Sequence, residues 1–170
     1  EYDKRCPLCR APPSKSDAET LRRHQKHVDE GSAVAQFMLG QAFHFGHLGL
    51  EKSSKRALEF YNLAAAQGHE VAQSQLGACY LRGDGVEVDY QTAAMWNQRA
   101  AVQGHRGAQA NLGTMFYNGD GVAQSFEEAV RWYRLAAAQG DADAIYMLGA
   151  FYANGVAVPQ DLDEALRLYK

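Results

Sequence analysis

The feature that most restricts this chain is that it copies itself about every 36 residues. Leu-Gly stands at Leu39-Gly40, Leu76-Gly77, Leu112-Gly113 and Leu148-Gly149, so the glycines are 37, 36 and 36 residues apart. Glycines recur in the same register at Gly31, Gly68, Gly104 and Gly140, and Ala-Ala pairs recur at Ala64-Ala65, Ala100-Ala101 and Ala136-Ala137. The single longer step falls in the "GHLGL" loop of the first unit. A fixed period of this length marks one supersecondary unit stacked on itself, because a unit so small cannot bury its apolar face alone.

Each unit reads as two helices. Ala72, Leu76 and Tyr80 recur as Ala108, Leu112, Phe116 and as Ala144, Leu148, Tyr152, and steps of four keep them on one buried face. A glycine turn follows, "GDGVEVD" from Gly83 or "GDGVAQS" from Gly119. The second helix then carries Ala93, Trp96, Ala100 and Ala101, repeated as Ala129, Trp132, Ala136 and Ala137. Asp89, Ser125 and Asp161 stand where N-caps belong, and Gly68, Gly104 and Gly140 where a helix ends with positive φ. The spacing predicts an all-α chain, an α-solenoid of about four helix-turn-helix repeats at 32–68, 69–104, 105–140 and 141–170. Upstream, "SDAETLRRHQKHVDEG" opens on the capping box Ser16–Glu19 and closes on Gly31, which predicts a capping helix over 16–31. Its Ala18, Leu21, Gln25 and Val28 are expected to pack on the first repeat.

The pattern A-x3-L-G-x2-Y-x2-G-x-G-V followed by A-x2-W-x3-A-A-x2-G resembles the Sel1-like repeat. Residues 72–104 follow it closely and 108–140 almost as closely; the fourth unit has "GVAVPQD" in place of the double-glycine turn. The resemblance implies a scaffold that binds a peptide or protein partner. The fourth unit stops at Lys170, in mid-helix, and the chain begins with Glu1 rather than Met; both features lead us to expect a longer parent chain.

"CPLCR" at residues 6–10 poses a separate question. Cys6 and Cys9 supply two thiolates, whereas a structural zinc takes four ligands. His24 and His27 could complete a set, but their spacing departs from a finger, and the simpler reading places them on a solvated basic surface with Arg22, Arg23 and Lys26. The pair also resembles the closing C-P-x-C of a RING-type zinc finger, making residues 1–15 the tail of an incomplete finger and a linker. That resemblance implies that Cys6 and Cys9 are metal ligands only if further ligands lie upstream, that zinc is then the cofactor, and that a ubiquitin-conjugating enzyme is then a partner. The chain itself is expected to hold no cofactor and to be no enzyme, or else to be the recruiting arm of a RING-type ubiquitin ligase.

Other chemistry is thinly represented. The recurrent "GDGV" lacks the Lys and Ser/Thr of a phosphate loop. Cys79 has no base beside it in the pattern, and Trp96 and Trp132 occupy equivalent core-facing places. Three cysteines in 170 residues make no disulfide framework, which points to a reducing compartment, cytoplasmic or nuclear. The formal net charge of −3 favours neither nucleic acid nor an anionic membrane as partner, and no apolar run is long enough to span a bilayer. A protein or peptide partner remains. It is expected on the first helix of each pair, at positions that vary while the packing positions do not: Phe37, Gln41, His44, Phe45, Arg82, Tyr117, Asn118, Tyr146 and Asn154.

Overall fold

Nine helices follow one another without a strand among residues 16–170, which the computed structural model describes. They are α1 (Asp17–Asp29), α2 (Ala33–Phe45), α3 (Ser54–Ala66), α4 (Glu70–Arg82), α5 (Tyr90–Val102), α6 (Arg106–Asn118), α7 (Phe126–Ala138), α8 (Ala142–Asn154) and α9 (Leu162–Leu168). Four pairs, α2–α3, α4–α5, α6–α7 and α8–α9, stack in order, with α1 covering the open side of α2. The first helices also touch one another along the array, α4 against α6 and α6 against α8, which puts them on the inner, concave side. None of the described helices is long and apolar enough to cross a membrane.

The alanines and glycines of the period are where helices press together. Ala64, Ala100 and Ala136 have no exposed surface, and Leu39, Leu76 and Leu112 have almost none. Against each Leu-Gly glycine lies one side chain of the second helix: Tyr61 on Gly40, Asn97 on Gly77, Tyr133 on Gly113 and Tyr169 on Gly149. A Cβ at Gly113 would stand 2.6 Å from the Tyr133 ring, so the glycine is what lets the aromatic ring lie flat on the helix. Asn97 departs from the tyrosine pattern; it is fully buried, donating to the Ala93 carbonyl at 3.0 Å and accepting from Asn111 at 3.1 Å.

The expected caps are present. Asp89 accepts from the N–H of Gln91 and of Thr92, Ser125 from that of Glu128, and Asp161 from that of Glu164. Ser16 caps α1 through the N–H of Glu19, while the Glu19 carboxylate bonds Arg23. On α1 the packing face is shifted from the expected one. Leu21 and Val28 do pack on the first repeat, but Ala18 and Gln25 are exposed. His24, expected on a solvated surface, is buried instead, because the turn between Leu21 and Val28 brings it against α2's side of the helix.

A polar ladder ties each repeat to the next. Gln67 donates to Gln36 at 2.7 Å, Gln103 to Gln73 at 2.7 Å, and Gln139 to Gln109 at 2.8 Å. The buried members pass the bond on: Gln73 donates to the Ala65 carbonyl and Gln109 to the Ala101 carbonyl. Buried amides remain inexpensive only when satisfied in this way.

Histidine opens two of the first helices. His69 and His105 are the N-caps of α4 and α6, and each Nδ1 accepts a backbone N–H, from Ala72 at 3.2 Å and from Ala108 at 3.1 Å. That nitrogen accepts only while unprotonated. Burial is the main cause holding both below the ordinary 6.5; Glu70 opposes it at each, and Arg106 reinforces it at His105. His24 is lowered too, by burial and then by His27. Groups shifted in this direction contribute stability that is fully present above their unfolded value near 6.5, and it is lost as the pH falls from there through the lower folded values. The melting temperature is therefore expected to drop between about pH 7 and about pH 5.5. Replacing both caps, His69→Asp with His105→Asp, should flatten much of that slope, since Asp141 already caps α8 by the same bond to Ala144. A double variant with the parent slope would show that the caps do not carry it.

Candidate functional site

Two apolar features open onto the concave side. The first lies in the leading repeat, where Phe45 is 57% exposed and stacks with His47, and His44 meets Phe45 edge-on. The His44 Nδ1 and the Tyr61 hydroxyl beside it are buried without a partner. In the third repeat the hydroxyl of the equivalent Tyr133 has Thr114 at 3.0 Å; Gln41 holds that place in the first repeat and is exposed. Phe37 is turned inward: half-buried, it packs on Tyr61 and stacks on His69, so it belongs to the joint between the first two repeats.

The second feature is a groove of about 160 Å³ between α6 and α8, walled by Tyr117, Phe126, Met147, Ala150, Phe151 and Asn154, with Val156 beyond. Tyr117, 40% exposed, packs on Phe126 and meets Phe151 edge-on. Of the positions expected at a binding face, the structure brings Tyr117 and Asn154 together here. Asn118 lies beside them in sequence but turns to the Asp120 carboxylate, and Arg82 similarly bonds Asp84 in its own turn. Tyr146 is 64% exposed and pairs with Tyr169 at the end of the array.

The pattern did not disclose Phe126, Met147 or Phe151 as walls of this groove. A signal existed at Phe151, whose equivalents Met115, Cys79 and Ala42 grow smaller toward the start of the chain. It goes unnoticed because the column is buried throughout and reads as core.

Nothing in this setting is poised for catalysis. Cys79 is buried, and burial chiefly, with Asp84 adding to it, pushes its thiol up to about 11, away from a nucleophilic thiolate. The residues also do not fit a two-histidine zinc site: His24 faces the interior, while the His27 Nδ1 is engaged with Glu30 at 2.9 Å. No group of three or more metal-ligating side chains is assembled among the described residues. Cys6 and Cys9, and with them the zinc-finger resemblance, lie outside the described residues. Protein purified without added metal is expected to carry well under one zinc per chain, since two thiolates leave a tetrahedral ion half-ligated. Stoichiometric zinc lost on Cys6→Ser and on His24→Ala would overturn that expectation.

With the fold and groove described, comparison with known proteins is direct. The Sel1 repeat signature matches residues 33–69, 71–105, 107–141 and 142–170. Among solved structures, the chain is similar to c5321, a protective antigen of uropathogenic Escherichia coli with an SLR fold, at 36% identity and a TM-score of 0.84. That likeness covers 88% of this chain and 32% of the antigen. A Sel1 repeat protein from Oxalobacter formigenes is 34% identical with a TM-score of 0.83, over 92% of this chain and 64% of the other. Cysteine rich protein B of Helicobacter pylori shares the fold at 21% identity and a TM-score of 0.56, over 73% of this chain and 93% of its own. No curated protein matches. The chain thus spans about a third of the first of these structures and under two thirds of the second. Four consecutive matches over most of its length establish that the chain belongs to the Sel1 repeat family.

Proposed function

We propose that this chain is an adaptor that holds a peptide or protein partner on its concave face, with the groove between α6 and α8 as the anchoring point. Sel1 repeat proteins are generally interaction scaffolds without catalytic activity. The observation that carries the reading further is the groove itself: an apolar recess walled by exposed or half-buried side chains on two successive first helices. Neighbouring pairs pack through alanine, leucine and the glutamine ladder, so the aromatic bulk of Tyr117 on the surface is not needed to close a repeat. Aromatic side chains in such recesses are the usual anchors of an interface.

The test is a binding measurement on a partner recovered by affinity capture, with variants on both faces. Tyr117→Ala is expected to weaken binding by about 2 kcal/mol or more, while the melting temperature changes little. Arg131→Ala, on the outer face of α7, should leave affinity unchanged. Binding abolished by Arg131→Ala and indifferent to Tyr117→Ala would move the site off the concave face. A second reading, a recruiting arm for a RING-type ubiquitin ligase, rests on "CPLCR" alone. It calls for a ubiquitin-transfer assay on a chain carrying the complete upstream finger.

A further inference from the structure

The walls of the groove between α6 and α8 are apolar, but its rim is acidic. Both helices finish beside it, with Tyr117 in the last turn of α6 and Asn154 as the last residue of α8. Helix C-termini carry partial negative charge and favour cations. Asp120 follows in the turn after α6. Asp143, exposed in the first turn of α8, lies within electrostatic reach of the Tyr133 hydroxyl, which faces Thr114 on α6.

The preceding repeat shows what is missing here. There the Arg82 guanidinium donates to the Asp84 carboxylate at 2.8 Å, and the pair is internally neutral. In the third repeat Asn118 stands where Arg82 stood and donates to Asp120 at 2.9 Å. The hydrogen bond is kept and the positive charge is gone. The arginines of the last two repeats are engaged elsewhere. Arg106 sits at the far end of α6 against Asp141 at 3.8 Å. Arg131, Arg134 and Arg167 belong to second helices, bound to Glu128, the Tyr152 hydroxyl and Glu164.

We propose that the occupant of this groove is a basic–apolar peptide segment, one apolar side chain seated between Tyr117 and Phe151 with lysine or arginine beside it meeting Asp120, Asp143 and the two helix ends. The proposal rests on the reading of the groove as an anchor and adds the charge of what it accepts. Opposite charge at the rim of an apolar recess selects a partner and speeds its approach more than it adds depth to the contact.

Three fluorescein-labelled peptides test it by anisotropy against the full chain. One has a central phenylalanine between lysines, the second the same phenylalanine between glutamates, and the third lysines around glycine. The lysine–phenylalanine peptide is expected to bind at least about ten-fold more tightly than either of the others, and to lose about three- to ten-fold between roughly 50 and 300 mM salt. Asp120→Asn with Asp143→Asn should remove most of its advantage over the glutamate peptide while circular dichroism and melting temperature stay close to the parent. Equal binding of the lysine and glutamate phenylalanine peptides, each lost on Tyr117→Ala, overturns the basic segment and leaves the groove as an anchor. Equal binding of the two lysine peptides reduces the effect to diffuse charge and overturns the proposal. Binding of none of the three removes the groove as an anchor, and the proposal with it.

Discussion

Replacing Gly121 by alanine is expected to destabilise the array by roughly 2–5 kcal/mol, whereas the same change at Gly104 should cost only about 1–2 kcal/mol. Both glycines have positive φ, 70° and 95°, so each alanine is strained by its backbone alone. They differ in what surrounds them. At Gly104 an added Cβ meets nothing within 4 Å. At Gly121 it would lie 2.1 Å from the Tyr90 carbonyl oxygen, at the start of the preceding repeat's second helix. Gly85 stands in the same relation to Ser54, so the second glycine of each "GDG" turn lets one repeat seat on the last. The fourth repeat has Ala157 there with φ 55°, the conformation without the glycine. Urea denaturation of the two single variants measures the difference. Equal losses at the two sites would mean that the joint yields and only the backbone term remains.

The glutamine ladder should be the next most sensitive element. Gln109, only 4% exposed, donates to the Ala101 carbonyl at 3.1 Å and accepts from Gln139 at 2.8 Å. Gln109→Ala is expected to cost about 1–3 kcal/mol, because the surrounding amides lose a partner in a place water does not freely enter. Gln109→Glu is the sharper test. The carboxylate could still accept from Gln139 but could not donate to Ala101, and it would bring a charge into a buried site. It should be at least as destabilising as alanine near neutral pH and recover part of the loss in acid, where a protonated carboxyl can donate again. A glutamate variant as stable as the parent at neutral pH would show that the ladder bonds contribute nothing net.

What could be read in the sequence was whatever the period repeats in residue type. Leu-Gly, Ala-Ala and the cap residues are local requirements of a helix or a helix crossing, so four copies of each were enough to place the pairs, their order and the capping helix. The ladder was also printed in the sequence, as Gln67, Gln103 and Gln139 before the closing glycines, yet a glutamine at a helix end reads as solvated surface. Its partners are 30 or 31 residues away, and only the stack reveals them. His24 was misplaced for the same reason: histidine among Arg22, Arg23 and Lys26 looks basic and wet, and only packing on α2 buries it. The groove was half legible. Variation at Tyr117 and Asn154 pointed to it, but Phe126 and Phe151 come from a neighbouring second helix and a buried column, and no single-helix pattern joins them. Phe37, judged by the same variation, packs instead into a joint.

The ladder has a consequence for how such a chain can change over generations. Every joint is made by the same bond between equivalent residues, so no joint depends on its distance from either end. Excising 36 residues between equivalent positions, or copying them in tandem, would leave each remaining glutamine facing a glutamine. The molecule's length is therefore a counted quantity that recombination can alter in whole steps, while a deletion of any other size would put every later joint out of register. Within that rule the concave positions stay free to differ from copy to copy, so recognition can diversify on a frame whose seams are interchangeable.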